Sequence, residues 1–406
     1  MKKAIVLGGT FPHRHLIKKL KERGYYVLLV DYYENPIAGD VADRHIRIST
    51  LDKEGVLAVA REENVDLVIT TCVDQANVTA CYVAEKLGLP HPYPYETSLS
   101  VTNKEDMKRI MIENDIPTAR HYTITSESEF DDVRLRYPLI IKPADSNSSK
   151  GVRKIEHGDE NRLSHVRKAL QLSRNGAAIV EEFKEGTEVG VDCMIINGKA
   201  HIIMTRERRK IDVNNDGIQQ IYGSFWPADV TPVQLENLRL IAQRIASAFR
   251  IDNCPLMMQT IVNGAEINVI EFGARIGGGE NYRIIMELTG YDMIDESINS
   301  FLGKRISGEY ANPKDYLADN YIYMTSGSFG KMTIGKATMN DILYFNVYRH
   351  SGSEVGPDIS SNNRVGAFVV KGATHDELLK RIAHVVEEME VFDTSGQPSM
   401  RKDIYI

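Results

Sequence analysis

Short apolar runs alternate with amphipathic segments in the first part of the chain. Lys3–Leu7 and Tyr26–Val30 are apolar runs of strand length, and the segment between them, Arg14–Arg23, has its apolar residues at helical spacing. Strands that alternate with helices predict βαβ units, and a parallel sheet follows from them. The pattern continues with predicted helices at Lys53–Glu63 and Asp74–Leu87 around a predicted strand at Asp66–Thr70.

A proline-rich stretch, Leu89–Pro94, interrupts this pattern. Prolines at alternate positions cannot continue a helix or a central strand, so we place a domain boundary here. The predicted first domain covers residues 1–97, and a second covers residues 98–303. A third, residues 304–406, begins where short strands with glycine and serine replace the longer elements, which is typical of an α+β domain.

Two predicted hairpins lie in the middle domain, each closed by an Asn-Gly turn, at Asn197-Gly198 and at Asn263-Gly264. The second hairpin sets Gln259 and Glu271 on facing strands. Counted from the turn, these two residues are diagonal neighbours at most. A carboxylate beside an amide oxygen suits Mg²⁺, which takes oxygen ligands, but an exposed polar hairpin is an equal alternative.

Composition and charge exclude several classes of protein. The chain has 406 residues and a formal net charge of -7, which rules out a generally basic nucleic-acid coat. None of its apolar runs approaches the ~18 residues that cross a bilayer. The four cysteines form no CxxC pair, as expected of reduced thiols. We therefore expect a cytoplasmic protein with no nucleic-acid and no membrane partner.

The turn Gly8-Gly9-Thr10 follows the first predicted strand, where a dinucleotide-binding loop would lie. It lacks the third glycine of that fingerprint. This absence favours a structural turn over a dinucleotide site, and it weakens the hypothesis of a dinucleotide-dependent oxidoreductase built on the first domain.

Lys142 ends an apolar strand, a position that is costly for a cation unless it meets an anion. The polar loop that follows contains Ser149, Lys150 and Gly151, ahead of Val152. Small side chains there would let backbone N–H groups approach phosphates. A flexible surface loop is an equal alternative for this segment.

Acidic residues end the next predicted strand, Ala178–Glu181. Glu181 and Glu182 stand beside Phe183, and Glu188 follows shortly after. A strand end of this kind can hold adenine through backbone hydrogen bonds and ribose hydroxyls through a carboxylate. Taken alone, a solvated acidic turn is the favoured interpretation.

Arg275 follows Glu271 by four residues and is suited to clamp a transferring phosphoryl group. Gly277, Gly278 and Gly279 then expose N–H groups to an anion such as a substrate carboxylate. A glycine hinge before the next helix is the alternative.

Each signal is weak alone, but their order over residues 1–300 resembles the ATP-grasp superfamily. The resemblance implies an α/β protein with an N-terminal Rossmann-like preATP-grasp domain, an ATP-grasp module and a C-terminal α+β domain. It implies ATP contacts from two lysines, a glycine-rich flap, an adenine strand end and a ribose carboxylate, namely Lys104, Lys142, Ser149, Lys150, Gly151, Val152, Glu181, Glu182, Phe183 and Glu188. It also implies Mg²⁺, or Mn²⁺, on Gln259 and Glu271, and catalytic roles for Arg275 and Lys142.

By the same resemblance, ATP phosphorylates a small-molecule carboxylate, an amine displaces the phosphate, and ADP and phosphate are the products. Similar members include carbamoyl-phosphate-synthase-like, amino-acid-ligase-like and phosphoribosylglycinamide-synthetase-like ligases. Gly273 stands where the family often has an asparagine that serves as a further metal ligand. A nucleotide-binding protein without turnover is therefore an alternative, and a homodimer is an open expectation.

The sequence also supports predictions for a basic run, two histidines and two aromatic residues. The basic run Arg206–Lys210 is predicted either to reach a phosphate or to lie in a solvated, mobile loop. His13 and His15 are predicted at the surface. Tyr222 and Trp226 are predicted in a polar loop, with ordinary packing favoured over a substrate wall.

Overall fold

The computed structural model describes residues 1–146, 150–211, 219–336, 338–357 and 359–405. The described α-helices are α1 (Phe11–Glu22), α2 (Lys53–Glu63), α3 (Asp74–Leu87), α4 (Tyr95–Ser100), α5 (Lys104–Glu113), α6 (Arg162–Leu172), α7 (Pro232–Ala248), α8 (Asn281–Thr289), α9 (Met293–Phe301) and α10 (His375–Glu388). The described strands are β1 (Lys2–Leu7), β2 (Tyr25–Val30), β3 (Arg44–Ile46), β4 (Leu67–Ile69), β5 (His121–Ile124), β6 (Leu139–Pro143), β7 (Arg153–Ile155), β8 (Ala178–Glu182), β9 (Thr187–Ile196), β10 (Lys199–Lys210), β11 (Ile221–Trp226), β12 (Cys254–Asn263), β13 (Glu266–Gly273), β14 (Tyr316–Tyr323), β15 (Gly327–Ile334), β16 (Ile342–Val347), β17 (Glu354–Val355), β18 (Arg364–Gly372) and β19 (Met389–Asp393).

The N-terminal strands form the parallel sheet that the alternating pattern predicts. Its order is β3-β2-β1-β4, with β1 paired in parallel to both β2 and β4. The chain reverses direction across the sheet between β1 and β4, so the turns that follow these strands border one crevice. Helices α8 and α9, from far along the chain, pack on the same apolar core as this sheet.

A small antiparallel sheet, in the order β5-β8-β6-β7, follows in the chain. Its apolar face packs on α6 through Val166 and Ala169. Helix α5 precedes it and begins at Lys104 because the Asn103 side chain accepts the N–H groups of Glu105 and Asp106, at 2.9 and 3.2 Å. This cap fixes the position of Lys104 in the first turn.

The largest sheet has eight strands, in the order β13-β12-β9-β10-β11-β14-β18-β16. Both predicted hairpins are confirmed, β9 with β10 and β12 with β13. Strands from both sides of residue 303 belong to this one sheet, and the three domain ranges drawn from the sequence remain predictions. Among the described residues, no helix is long and apolar enough to span a membrane.

Two segments in the middle of the chain for which the sequence suggested a loop are strands instead, whereas the ordinary packing that was favoured for Trp226 is confirmed. The Arg206–Lys210 run is not a mobile loop, because it forms the last part of β10 and pairs with both β9 and β11. Tyr222 and Trp226 lie in β11, where Trp226 is fully buried and its Nε1 donates to Asp319 Oδ1 at 2.6 Å. The glycine and polar residues around β11 hid its strand character, since pairing on both edges outweighs local propensity.

Candidate active site

A cavity of about 880 Å³, part of it open to solvent, lies between the small antiparallel sheet and the β9-β12-β13 side of the large sheet. We call it the lysine-lined cavity. Its lining includes most of the residues predicted to hold ATP and metal, namely Lys104, Lys142, Lys150, Val152, Glu181, Glu182, Phe183, Glu188, Gln259 and Glu271. The fold therefore brings residues up to 167 positions apart in the chain to one place.

Lys142 and Glu181 lie on the neighbouring strands β6 and β8, and both line the cavity. Lys142 Nζ donates to Glu181 Oε1 at 2.5 Å, and Lys108 Nζ lies 2.7 Å from Glu181 Oε2. All three side chains are buried. Burial raises the pKa of Glu181, but the two lysines outweigh it and lower this pKa to about 2. We call these residues the lysine-glutamate triad, and its charge is positive on balance.

Lys104 lies between the chain at Ser146 and the β12-β13 hairpin. Its Nζ donates to the backbone carbonyl of Ser146 at 2.5 Å and lies 3.5 Å from Glu271 Oε2. Ser149, which is predicted to contact ATP, lies outside the described residues. Lys150 and Val152, which follow Ser149 in the chain, line the cavity. Gly151 has φ +75° and stands over Pro143 and Leu172, where a side chain would be strained.

Gln259 and Glu271 are directly opposed across β12 and β13. The prediction of a diagonal pair is wrong because the register shifts between Gln259 and Thr260, and Ile270 is the extra residue of this β-bulge. Burial raises the pKa of Glu271, but nearby cations, Lys104 first and then Lys142, outweigh this effect and lower the pKa below its usual value. The carboxylate is therefore ionised at neutral pH.

An amide oxygen and a carboxylate fit Mg²⁺, but two ligands do not complete its shell. Among the described residues, no group of three or more His, Cys, Asp or Glu side chains is placed to hold a metal. Any Mg²⁺ here would therefore take its other ligands from nucleotide phosphates and water.

Glu182 and Phe183, at the end of β8, also line the cavity. The N–H of Phe183 donates to the Pro138 carbonyl at 2.8 Å, so this group is already used within the protein. The Phe183 ring lies under Lys154 Nζ, 4.5 Å from the ring centre, and Lys184 joins the lining. The ring supplies an apolar wall to this part of the cavity.

Glu188 faces two cations of the basic run. Its carboxylate lies 3.2 Å from Arg208 Nε and 3.2 Å from Lys210 Nζ. Burial raises the pKa of Glu188, but these cations outweigh it and lower the pKa. Alternation along β10 explains the arrangement, because Arg208 and Lys210 share one face of the strand. Arg209 points to the other face, between the rings of Tyr222 and Phe225.

Arg275 and the glycine turn, Gly277–Gly279, lie next to the lysine-lined cavity but are not part of its lining. Arg275 donates two hydrogen bonds of 2.8 Å to Asp74, at the start of α3. Burial lowers the pKa of Arg275, but Asp74 outweighs this effect and raises the pKa. A β-carbon placed on Gly278 would lie 3.8 Å from Cys72 Cβ, so the turn faces the crevice between β1 and β4.

Comparison with known proteins identifies the central part of this site. Residues 135–282 match the model of the ATP-grasp domain. The chain carries an ATP-grasp domain.

Relatives and solved structures extend this result. The chain is 31% identical over 255 residues to the formate-dependent phosphoribosylglycinamide formyltransferase of Ignicoccus hospitalis, which is 60% of this chain and 62% of the relative. It is 25% identical over 272 residues to the L-arginine-specific L-amino acid ligase of Bacillus subtilis, which is 65% of this chain and 63% of the relative. These matches thus span less than two thirds of each relative's length.

The similarity in fold extends over the whole chain. The biotin carboxylase domain of Hydrogenobacter thermophilus 2-oxoglutarate carboxylase, solved with MgADP, ADP and bicarbonate, has a TM-score of 0.78 at 16% identity. The match covers 100% of this chain and 93% of that one. The resemblance to the ATP-grasp superfamily and the predicted α/β ATP-grasp fold are confirmed.

Sequence reasoning missed three side chains around the ATP-grasp site: Lys108, Lys184 and Asp74. Lys210, which lines the cavity, belongs to the basic run that was predicted to reach a phosphate or to lie in a loop. Lys108 had a usable signal, because it stands one helical turn after Lys104 and next to the buried Met107. A lysine at a buried helix position needs a partner. Asp74 had no such signal, since it is 201 residues from Arg275 in the sequence.

His13 corrects another expectation. It is fully buried rather than exposed, and its ring nitrogens lie 2.8 Å from Thr10 Oγ1 and 3.0 Å from Thr70 Oγ1. Burial lowers its pKa to about 3, so the ring is neutral. It holds the Gly8-Gly9-Thr10 turn against β4. His15 is half-buried against Tyr282, with 4.8 Å between ring centres.

Proposed function

We propose that the chain is an ATP-dependent ligase that joins a small-molecule carboxylate to an amine, using ATP and Mg²⁺. A carboxylate oxygen attacks the γ-phosphorus of ATP and ADP leaves, which gives an acylphosphate. The amine nitrogen then attacks the acyl carbon, phosphate leaves, and the amine gives up its proton. Products are ADP, phosphate and an amide.

The observation that carries this proposal is the gathering of Lys104, Lys142 and the opposed pair Gln259 and Glu271 around one cavity. Phosphoryl transfer needs positioning and neutralised charge more than covalent chemistry. The lysines would bind phosphate oxygens, and the pair would hold a metal between them. Bound Mg²⁺ would supply Lewis-acid neutralisation of the phosphates.

The acceptor side of the reaction would use Arg275 and the glycine turn. Arg275 is held as a fork by Asp74 and lies close enough to Glu271 to contribute to lowering its pKa. The N–H groups of Gly277–Gly279 would receive the substrate carboxylate. The names of the two relatives support this substrate class, since formate is a carboxylate and an amino acid carries both reacting groups.

The test is ADP formation with ATP, Mg²⁺ and a matrix of carboxylates and amines, with Lys142→Ala as the matched control. We expect ADP release that requires one carboxylate and one amine together. Tight ATP binding without ADP release under any pair would instead favour a nucleotide-binding protein without turnover, the alternative that Gly273 leaves open. Absence of ATP binding would contradict the proposal as a whole.

A further inference from the structure

Lys108 is a buried charge to which the proposed chemistry gives no role. It lies on α5 one turn after Lys104, is 1% exposed, and does not line the lysine-lined cavity. Its Nζ is 2.7 Å from Glu181 Oε2 and donates to Thr118 Oγ1 at 2.9 Å. Burying a lysine is costly, so such a position calls for a compensating interaction.

The two lysines of the triad stand on different sides of Glu181. Lys142, on Oε1, lines the cavity, whereas Lys108, on Oε2, lies behind the carboxylate. A phosphate in the cavity would draw Lys142 away from Glu181. Without a second cation, Glu181 would then be a buried carboxylate with no counter-charge, which is strongly unfavourable.

Lys108 is also connected, through Thr118, to the β12-β13 hairpin, which carries the proposed metal ligands Gln259 and Glu271. Thr118, which accepts the Lys108 hydrogen bond, donates from its Oγ1 to the carbonyl of Val269 at 2.9 Å. The N–H of Val269 donates to the Pro117 carbonyl at 2.8 Å. Val269 directly precedes the bulged Ile270, which brings Glu271 opposite Gln259. A short chain of contacts therefore runs from Glu181 to the bulge.

We propose that Lys108 is a positioning residue: it is the permanent counter-charge of Glu181, which frees Lys142 to bind nucleotide phosphates, and it anchors the β13 bulge that presents Glu271. This inference rests on the proposed function, because it requires a nucleotide in the lysine-lined cavity. Lys108 itself touches neither nucleotide nor substrate.

The charge states are consistent with this role. Burial lowers the pKa of Lys108, and Glu181 opposes that change by favouring the protonated lysine. The pKa of Glu181 is held near 2 although burial raises it. His121 pairs with Glu181 across β5 and β8, and burial lowers its pKa to about 4, so it adds no charge at neutral pH.

The test is the affinity for ATP with Mg²⁺, measured by calorimetry, for the wild type, Lys108→Met and Arg109→Met. Arg109 lies on the solvent side of the same helix, so the control removes one positive charge without touching the triad. We expect Lys108→Met to raise Kd about tenfold or more, the scale of one lost charge-assisted contact. Arg109→Met should change Kd less than about twofold.

A double-mutant cycle separates this role from general destabilisation. In a Glu181→Gln background there is no carboxylate to neutralise, so adding Lys108→Met should change Kd by less than about twofold. A merely structural lysine would show the same loss in both backgrounds. If Lys108→Met does not fold, the comparison of Glu181→Gln with the double variant still applies, and it must show similar affinities.

Unchanged ATP affinity in Lys108→Met, or an equal loss in both backgrounds, would overturn the inference while leaving the proposed function intact. A wild-type chain that binds no ATP would overturn both, so the two failures are distinguishable.

Discussion

The lysine-lined cavity and the glycine turn are built in opposite ways. All described residues that line the cavity lie between Lys104 and Glu271, within one continuous part of the chain. The glycine turn instead has neighbours from both ends of the molecule: Cys72 beyond β4, and Tyr321 in β14. Asp74, the partner of Arg275, also comes from the N-terminal part.

This difference suggests a division of roles within the proposed site. The residues proposed to bind nucleotide come from one continuous segment, which can supply them together. The proposed acceptor site, which consists of Arg275, Asp74 and the glycine turn, is assembled from distant elements, so it can change when any of those elements changes. A formate-dependent enzyme and an arginine-specific ligase both match this chain, as expected if substrate choice depends on the proposed acceptor site.

The largest expected effect comes from changing Glu271, which with Gln259 forms the proposed pair of metal ligands. Glu271→Gln keeps the shape of the side chain but removes the charge, so we expect turnover to fall roughly 100- to 1,000-fold, with a modest change in ATP affinity. The measurement is steady-state ADP release. Glu266→Gln, at the exposed end of the same strand, is the control and should retain full activity. Full activity of Glu271→Gln would contradict the metal assignment.

Lys142→Ala should act on ATP affinity rather than on the fold. Lys108 still neutralises Glu181 in this variant, so the buried carboxylate keeps a partner. Loss of one charge-assisted contact costs about 1.5–3 kcal/mol, which corresponds to a rise in Kd of about 10- to 150-fold. Calorimetric titration with ATP measures it, and thermal unfolding checks the fold. An unaltered Kd would mean that Lys142 does not meet the nucleotide.

Arg275→Lys tests the proposed acceptor site, which consists of Arg275, Asp74 and the glycine turn. A lysine cannot reproduce the two hydrogen bonds to Asp74, so we expect turnover to fall about tenfold while ATP affinity is kept. Arg239→Lys replaces an exposed arginine that forms a similar fork with Glu236, and it should behave as the wild type. Equal turnover in both variants would show that the Arg275 fork is not required.

The smallest effects are expected within the glycine turn. A methyl group on Gly278 meets Cys72 at an ordinary contact distance, so Gly278→Ala should keep stability and ATP affinity while raising the KM for the carboxylate several-fold. Gly279→Ala should instead lower the unfolding free energy by about 1–2 kcal/mol, because Gly279 has φ +67° and faces the Tyr321 hydroxyl. A rise in KM for ATP as well as for the carboxylate in Gly278→Ala would favour the hinge interpretation.

Much of the secondary structure was predicted correctly from local sequence patterns. Helices α2 and α3 begin and end at the predicted residues, and both Asn-Gly turns close hairpins. Features that depend on neighbours in space were missed, including β11 and the burial of His13. The bulge at Ile270 was also missed, although the adjacent apolar residues Val269 and Ile270 interrupt the alternation of apolar and polar positions in β13.

The sequence by itself determined the order of the residues that are proposed to bind nucleotide, because lysines at a helix start and a strand end, acidic strand ends and a glycine turn are local features. Only the tertiary structure decided which charges meet. The pairing of Lys108 with Glu181, of Arg208 with Glu188 and of Arg275 with Asp74 depends on distances across strands and domains. Coulomb interactions act through space, and the chain separation of two charges says nothing about that distance.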